Sequence, residues 1–387
     1  MKRKLLSIIF ASILVTSFVL IYSVSYALQK VEHPEFFFGL DVAYENIEEI
    51  KVLVNEVRSY TNLFIIGCTG ITHNTTKLDD LCQYLYDGGL YFIVYAERPP
   101  RAQWLIDAKE RWGNRLLGFY AFDEAGGFQL DLNQYRPVHS ADNITDAANQ
   151  FVMSLNRNLN YINVGYTEST NFPLFTSDYA LYWFDYKGGY DVVLAQFGWN
   201  YSRQLNVAQV RGAATVQEKE WGTIIAWTYN NPPYIESGPE LYEDLVLSYE
   251  NGAKYVVIFD SNKDYSGGIL KDEHLEAMKQ FWQYTEENPR KTETTGDRIA
   301  YVLPKNYAYG FRGPSDKIWG LWEAESIPEF SEELCTELNR LMVVHEKRLD
   351  IIYNDSLEFN QYSKYIFWNG TIIEPYVRVT RFLSNIY

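Results

Sequence analysis

From about residue 36 to residue 262, short apolar runs rich in Ile, Val, Phe and Tyr alternate with longer amphipathic stretches. Runs of this length bounded by turn residues read as buried strands, and the stretches between them as helices. The pattern therefore predicts βα units around a parallel sheet. The predicted strands are Phe36–Val42, Leu63–Cys68, Tyr91–Ala96, Leu117–Phe122, Leu174–Ser177, Val192–Phe197, Thr223–Trp227 and Tyr255–Phe259. Helices are predicted at Ile47–Ser59, Leu78–Tyr86, Ala102–Trp112, Thr145–Leu155 and Glu240–Glu250. In the first helix Ile47, Ile50, Val54 and Val57 fall on one face. Gly88-Gly89 and Asn251-Gly252 follow two of the helices, as expected of helix stops. Eight strands over roughly 250 residues match an α/β fold of the (β/α)8 TIM-barrel type. An open doubly wound sheet would alternate in the same way. No G-x-G-x-x-G or phosphate loop follows any strand, which removes support for nucleotide binding, and the count of eight favours closure.

After Trp282 the pattern changes. Residues 286–297 are polar and read as a linker. Beyond it Ile299–Leu303, a helix around Ser331–Glu346, Leu349–Tyr353 and Tyr365–Trp368 predict a small α/β domain over 298–387. No catalytic constellation is evident there, so its expected role is to buttress the barrel domain (31–285) or to mediate assembly.

The N-terminus (1–30) has a different character. Met1-Lys2-Arg3-Lys4 is basic, and Leu5–Leu28 carries no charge. Such a stretch is long enough to cross a hydrocarbon core of about 30 Å. The basic end would stay in the cytoplasm and leave the rest outside. Ser25-Tyr26-Ala27 also matches a small-x-small cleavage site, so signal peptide and transmembrane anchor both stand. The length of the apolar stretch favours the anchor. For an exported chain, Asn74, Asn143, Asn200, Asn354 and Asn369 are glycan acceptors by sequence. Cys68, Cys82 and Cys335 do not make a disulfide framework. Buried thiols are the first reading, with a Cys68–Cys82 bridge as the alternative in an oxidising compartment. Neither CxxC nor His-x-x-x-His spacing is present, so no metal site and no cofactor is expected.

A net charge of −16 argues against nucleic acid as a partner, because phosphate contacts need Lys and Arg to replace counterions. Aromatics make up 17% of the chain, with 32 Tyr and 10 Trp. Such rings fill a large barrel core, and they also stack on sugar faces with their polar tips free to hydrogen-bond.

Barrel enzymes keep their chemistry at the C-terminal strand ends. Those ends carry Asp41 and Tyr44, Thr69, Glu97-Arg98, Asp123-Glu124, Asp178, Gln196-Phe197-Gly198-Trp199, Trp227-Thr228-Tyr229-Asn230, and Asp260. Acids on several strands would converge on one mouth, where two carboxylates can divide acid and base work. Crowding raises one carboxyl's pKa and keeps it protonated near neutrality. Adjacent strand residues point to opposite faces, so only one of Asp123 and Glu124 need reach the mouth, the other capping the next helix. Asp178 reads equally as a cap, since Tyr179–Tyr186 has a helical pattern. Asp41, Glu97 and Asp260 read first as hydrogen-bonding partners, and Glu97-Arg98 as an ion pair. Trp199, Trp227 and Tyr229 read as core caps or as a sugar platform.

Through Gly118-Phe119-Tyr120-Ala121-Phe122-Asp123-Glu124 and Trp221-Gly222-Thr223-Ile224-Ile225-Ala226-Trp227-Thr228-Tyr229, residues 36–285 resemble the glycoside-hydrolase superfamily of (β/α)8 barrels, of the exported archaeal or bacterial kind. The resemblance is to a superfamily pattern and to no defined activity. It implies a carbohydrate partner and places the acid/base carboxylate at the end of strand four, on Glu124, with Asp123 beside it. The nucleophilic Glu that the best-known clan carries at the end of strand seven is replaced here by Trp227-Thr228-Tyr229. The resemblance leaves Asp123, Asp178 or Asp260 to supply the base or nucleophile. Asp41, Tyr44, Glu97, Arg98, Gln196, Trp199, Trp227, Tyr229 and Asp260 are the expected substrate contacts. A glycan-cleaving hydrolase is the first expectation, and a non-catalytic glycan-binding or envelope protein on the same barrel is the second.

Overall fold

The computed structural model describes residues 34–98, 100–163, 171–199, 201–290, 297–312, 316–323 and 332–375. Eight parallel strands close a barrel in sequence order: β1 (Phe37–Val42), β2 (Leu63–Ile66), β3 (Tyr91–Tyr95), β4 (Leu116–Tyr120), β5 (Leu174–Asp178), β6 (Val192–Phe197), β7 (Glu220–Ile225) and β8 (Tyr255–Asp260), with β8 pairing back onto β1. The TIM-type barrel expected from the alternating pattern is the fold. The expected strand set is right to within one to three residues at each end. Strand β7 begins at Glu220 rather than Thr223, because Glu220 pairs with Val192 of β6. Strand β2 ends at Ile66, where Gly67 and Cys68 turn away as a short helix begins.

The helices that wrap the barrel are α1 (Ile47–Val57), α2 (Thr69–Thr72), α3 (Thr75–Asp87), α4 (Ala102–Trp112), α5 (Ala125–Leu130), α6 (Ile144–Ile162), α7 (Tyr182–Gly188), α8 (Arg203–Val216), α9 (Gly238–Glu250) and α10 (Asp272–Glu287). Several start on a side-chain cap that satisfies a free backbone N–H. Asn46, Asn74 and Asn143 each accept such a bond, and Ser237 forms a reciprocal box with Glu240.

Strand periodicity sorts the core into two layers. Phe37, Ile65, Ile93, Phe175, Leu194 and Val257 fill the barrel interior, whereas Phe38, Leu40, Phe64 and Ile66 pack outward under the helices. Burying each such side chain contributes about 1.5–3 kcal/mol. Phe37 stacks on Tyr255 at 5.1 Å, and Phe175 meets Tyr255 edge-on at 5.2 Å, closing the N-terminal end of the barrel. Much of the aromatic excess is therefore core.

A second sheet, ordered β10-β9-β11-β12, comprises β9 (Ile299–Leu303), β10 (Leu349–Tyr353), β11 (Lys364–Phe367) and β12 (Ile372–Ile373), with helix α11 (Glu332–His345) preceding β10. From Phe36 onward the chain forms one compact unit. Helix α8 lies against β10, where Arg211 Nε donates to Asp350 Oδ1 at 2.7 Å and Arg298 Nη1 donates to Asp350 Oδ2 at 2.8 Å. Arg211 also donates to Asn251 Oδ1 at 2.9 Å and to the Lys347 carbonyl at 2.7 Å. Asp350 is wholly buried.

Cys68 and Cys82 are free thiols, half-buried and buried respectively. The side chain of Cys335, the expected N-terminal segment, the middle of the expected linker and Asn200 lie outside the described residues. Asn74, Asn143, Asn354 and Asn369 are exposed. Among the described residues no helix is long and apolar enough to cross a membrane.

Removing one partner from a buried ion pair leaves an unpaired charge and costs about 3–5 kcal/mol, whereas a surface pair is worth under about 1 kcal/mol. Asp350→Ala should therefore lower unfolding stability by about 3–5 kcal/mol in chemical denaturation. Lys305→Ala, which breaks a partly exposed pair to Asp355, should cost less than about 1 kcal/mol. Equal stability of Asp350→Ala and wild type would show that this bridge does not hold the sheet to the barrel.

Candidate active site

At the C-terminal mouth of the barrel lies a cavity of about 580 Å³. Its floor is set by strand phase. Asp41, Tyr95, Ser177, Gln196 and Phe259 each follow an interior residue at a spacing of two and so continue the inward-facing rows. Asp123 and Glu124 enter from the turn after β4, and Trp199, Tyr201 and Trp227 from the loops after β6 and β7. Three carboxyl groups, those of Asp41, Asp123 and Glu124, thus share one cavity.

Glu124 sits in the left-handed region at φ 60°, as does Phe122 at φ 51°. Non-glycine residues persist there only where surrounding bonds hold them. Tyr190 Oη donates to the carbonyls of Ala121 (2.8 Å) and Phe122 (3.0 Å). The Glu124 amide donates to the Ser177 carbonyl at 2.8 Å. Immediately beyond, the amides of Gly126 and Gly127 donate to Asp178 Oδ2 at 2.6 Å and Oδ1 at 2.8 Å. Asp178 Oδ1 also accepts from the Tyr179 and Ala180 amides at 2.7 and 3.1 Å. A side chain at 127 would enter the Tyr179 ring, so this approach requires glycine.

Hydrogen bonds connect the acids. Gln196 Nε2 donates to Glu124 Oε1 at 3.0 Å and to Ser177 Oγ at 2.9 Å. Ser177 Oγ lies 2.6 Å from Tyr120 Oη, and the Tyr120 hydroxyl in turn bonds Asp123. With both amide hydrogens of Gln196 given away, Ser177 donates to Tyr120 and Tyr120 to Asp123. Each carboxyl therefore receives a donor from one relay.

Their electrostatics differ. Burial, followed by the charge of Asp123, pushes the Glu124 carboxyl up to about 7, against the opposing Gln196 donor. Burial also raises Asp123, but its own amide and Tyr120 hold it back. Asp41 is held well above the usual carboxylate range by burial, then by Asp123 and Asp260. Its Oδ1 has no hydrogen-bond partner among the described residues. That oxygen lies where a side chain on Gly67 would sit, 2.3 Å from an added Cβ.

Other expected contacts lie elsewhere. Asp178 and Asp260 follow inward-facing residues by one and point away from the cavity. Asp178 is occupied by four amides. Asp260 Oδ1 accepts from Ile269 (2.7 Å) and Leu270 (3.2 Å), and its Oδ2 from Tyr44 Oη (3.4 Å). Tyr44 is consequently core, 1% exposed, and no part of a platform. Glu97 and Arg98 line a separate cavity of about 330 Å³, where Glu97 lies 3.8 Å from His73. Tyr229 lies beyond the main cavity, on the far side of Trp199. Sequence reasoning missed Tyr95, Tyr120, Ser177, Tyr179, Tyr201 and Tyr265. Strand phase marks the first and third of these, but no local pattern marks Tyr265. Among the described residues no group of three or more His, Cys, Asp or Glu is placed to hold a metal.

The chain is a TIM-type barrel with structural similarity to glycoside hydrolases. It superposes on a β-galactosidase from the psychrophilic Marinomonas ef1 with a TM-score of 0.56 at 10% identity, over 86% of this chain and 72% of that one. It also superposes on α-L-fucosidase isoenzyme 2 from Paenibacillus thiaminolyticus with a TM-score of 0.52 at 10% identity, over 85% of this chain and 59% of that one. No protein-family model matches the sequence, and neither does any curated protein.

Asp41 supplies a test of the cavity's electrostatics. A carboxyl whose folded pKa is raised costs no stability while both states are protonated, and its cost grows as pH rises through the unfolded and then the folded value. Asp41→Asn should therefore melt above wild type at pH 8, by about 1–3 °C, and the gap should shrink toward pH 4. A gap that does not depend on pH would show that Asp41 is not held protonated by its surroundings.

Proposed function

We propose that this protein is a glycoside hydrolase acting on an oligo- or polysaccharide, with Glu124 as general acid. The observation that carries this reading is the shared placement of Glu124, Asp123 and Asp41 in one aromatic-walled cavity at the C-terminal barrel mouth, with a donor relay linking two of them. Acid–base catalysis needs neighbouring carboxyls whose environments set them in different protonation states. Glu124, raised to about 7 partly by the charge of Asp123, keeps its proton for the glycosidic oxygen. Asp123, raised by burial but held back by its own amide and by Tyr120, is the group that acts as base or nucleophile. Asp41 stays protonated and donates to a sugar hydroxyl. Trp199, Trp227 and Tyr265 supply ring faces for the sugar. The two superposed proteins are named as a β-galactosidase and an α-L-fucosidase, which accords with a sugar substrate. The uncharged Leu5–Leu28 stretch behind a basic start supports a place outside the cytoplasm, anchored or released by cleavage.

A second reading, glycan binding without turnover, draws on one observation. Strand β7 ends at Ile225 and leads into Ala226 and Trp227 with no acid, and Asp178 and Asp260 are committed to backbone amides. Only Asp41 and Asp123 then remain to partner Glu124.

Incubation of the protein with a panel of polysaccharides and N-glycans, with product analysis, separates the two readings. Under hydrolysis Glu124→Gln should lower turnover by about 10²–10⁴-fold with binding retained. The wild-type rate should fall as pH rises through about 7, where Glu124 loses its proton, and this limb should vanish in the variant. Binding without product from any substrate would favour the second reading.

A further inference from the structure

Trp199 is not buried in the site it borders. It is 39% exposed, has φ 51°, and walls two further clefts of about 740 and 470 Å³ as well as the central cavity. A left-handed tryptophan needs support from around it, and Arg203 provides it. Arg203 Nη1 donates to the carbonyls of Gly198 (2.9 Å), Trp199 (3.1 Å) and Tyr201 (3.1 Å). The guanidinium is itself fixed by Asp244 at 2.8 Å and Glu236 at 3.2 Å. One cation thus carries three carbonyls of a single loop, with the ring standing between cavities.

On the far side of that ring the surface changes character. Tyr229 is 46% exposed, and the cleft around it presents Asn230, Asn231, Ser237 and Glu240. An exposed ring beside amide and hydroxyl groups can take a sugar face while its neighbours bond sugar hydroxyls. We infer that the clefts beyond Trp199 bind further units of the same glycan chain, with Tyr229 as their ring platform, so that the substrate is an extended oligosaccharide rather than a single terminal sugar. This rests on the carbohydrate reading above and names the substrate class for it. Continuity with the central cavity through Trp199 is what commits the groove to this occupant. Arg203 is here a positioning residue, acting through the loop that carries Trp199.

The experiment is calorimetric binding of gluco-, xylo-, manno-, galacto- and chito-oligosaccharides, from disaccharide to hexasaccharide, to the full chain. Affinity for at least one series should rise with length. Tyr229→Ala should remove about 3- to 10-fold of affinity for the longer members, leave the disaccharide unchanged, and be rescued by Tyr229→Phe. Tyr229 is on the surface, so the variant is not expected to disturb folding, and its melting temperature checks this. Length-independent binding, or equal losses for short and long members, would overturn the extended groove and leave the hydrolase reading standing. No binding by any series would overturn both.

Discussion

The Asp178 carboxylate holds together the two turns that make the site. Both its oxygens accept from backbone amides, two from the start of α5 and two from the loop after β5, three of the four on Oδ1. A carboxylate accepting several N–H bonds is a strong local organiser, since each donor would otherwise need a partner in a buried place. Burial raises this group, and the amides of Gly126, Gly127 and Ala180 oppose that rise. With every donor pointing inward, the ionised acceptor is the form the geometry demands. Its consequence is felt one turn away. Glu124 stands just before the two clamped glycines in a conformation that a free chain would rarely hold, and the Ser177 carbonyl fixes its amide. Asp178 is thus essential to the site's shape while offering no oxygen to a substrate.

Strand phase explains which sequence expectations were sound. The eight strands and their helices were legible because apolar runs and amphipathic stretches alternate so regularly. The acids at strand ends were legible as a group, and the mouth of a barrel is where they gather. Sorting them needed the parity of each strand. Asp41 lies two residues after Gly39 and four after Phe37, so it faces inward. Asp178 and Asp260 each fall one residue beyond an inward position, so they turn into the loops and find amides there. Glu97 lies past the end of β3, where phase no longer applies, and meets His73 instead of Arg98. What remained hidden was tertiary. Nothing near residue 178 in the chain announces the amides of Gly126 and Gly127.

The aromatic residues divide by the same logic. Phe37, Phe175 and Tyr255 plug the barrel where inward rows begin, and Tyr95, Tyr120 and Phe259 reach the cavity where those rows end. Composition alone announces both uses without separating them. Tyr44 illustrates the risk. Placed two residues after a strand, it looked like a rim residue, yet it folds into the core and spends its hydroxyl on Asp260. Trp199 and Tyr229 stay exposed because their loops are held from behind, Trp199 by Arg203 and Tyr229 by its backbone bond to the Tyr234 carbonyl at 2.8 Å.

The C-terminal segment is built into this arrangement. Between β9 and α11 the chain packs on the helices beside the site, where Gln129 Nε2 of α5 donates to the Trp319 carbonyl at 2.8 Å and Trp319 packs on Phe184 of α7 at 4.6 Å. Earlier in the same segment, Arg312 Nη1 donates to Asp131 Oδ1 at 2.6 Å. Asp131 Oδ2 accepts from Tyr179 Oη at 2.6 Å, and the Tyr179 ring stacks on Tyr201 at 6.3 Å. Both tyrosines line the central cavity. One wall of the site therefore depends on a residue more than a hundred positions beyond the loops it steadies. A chain ending after β8 would keep all three cavity acids and lose the arginine that fixes this wall.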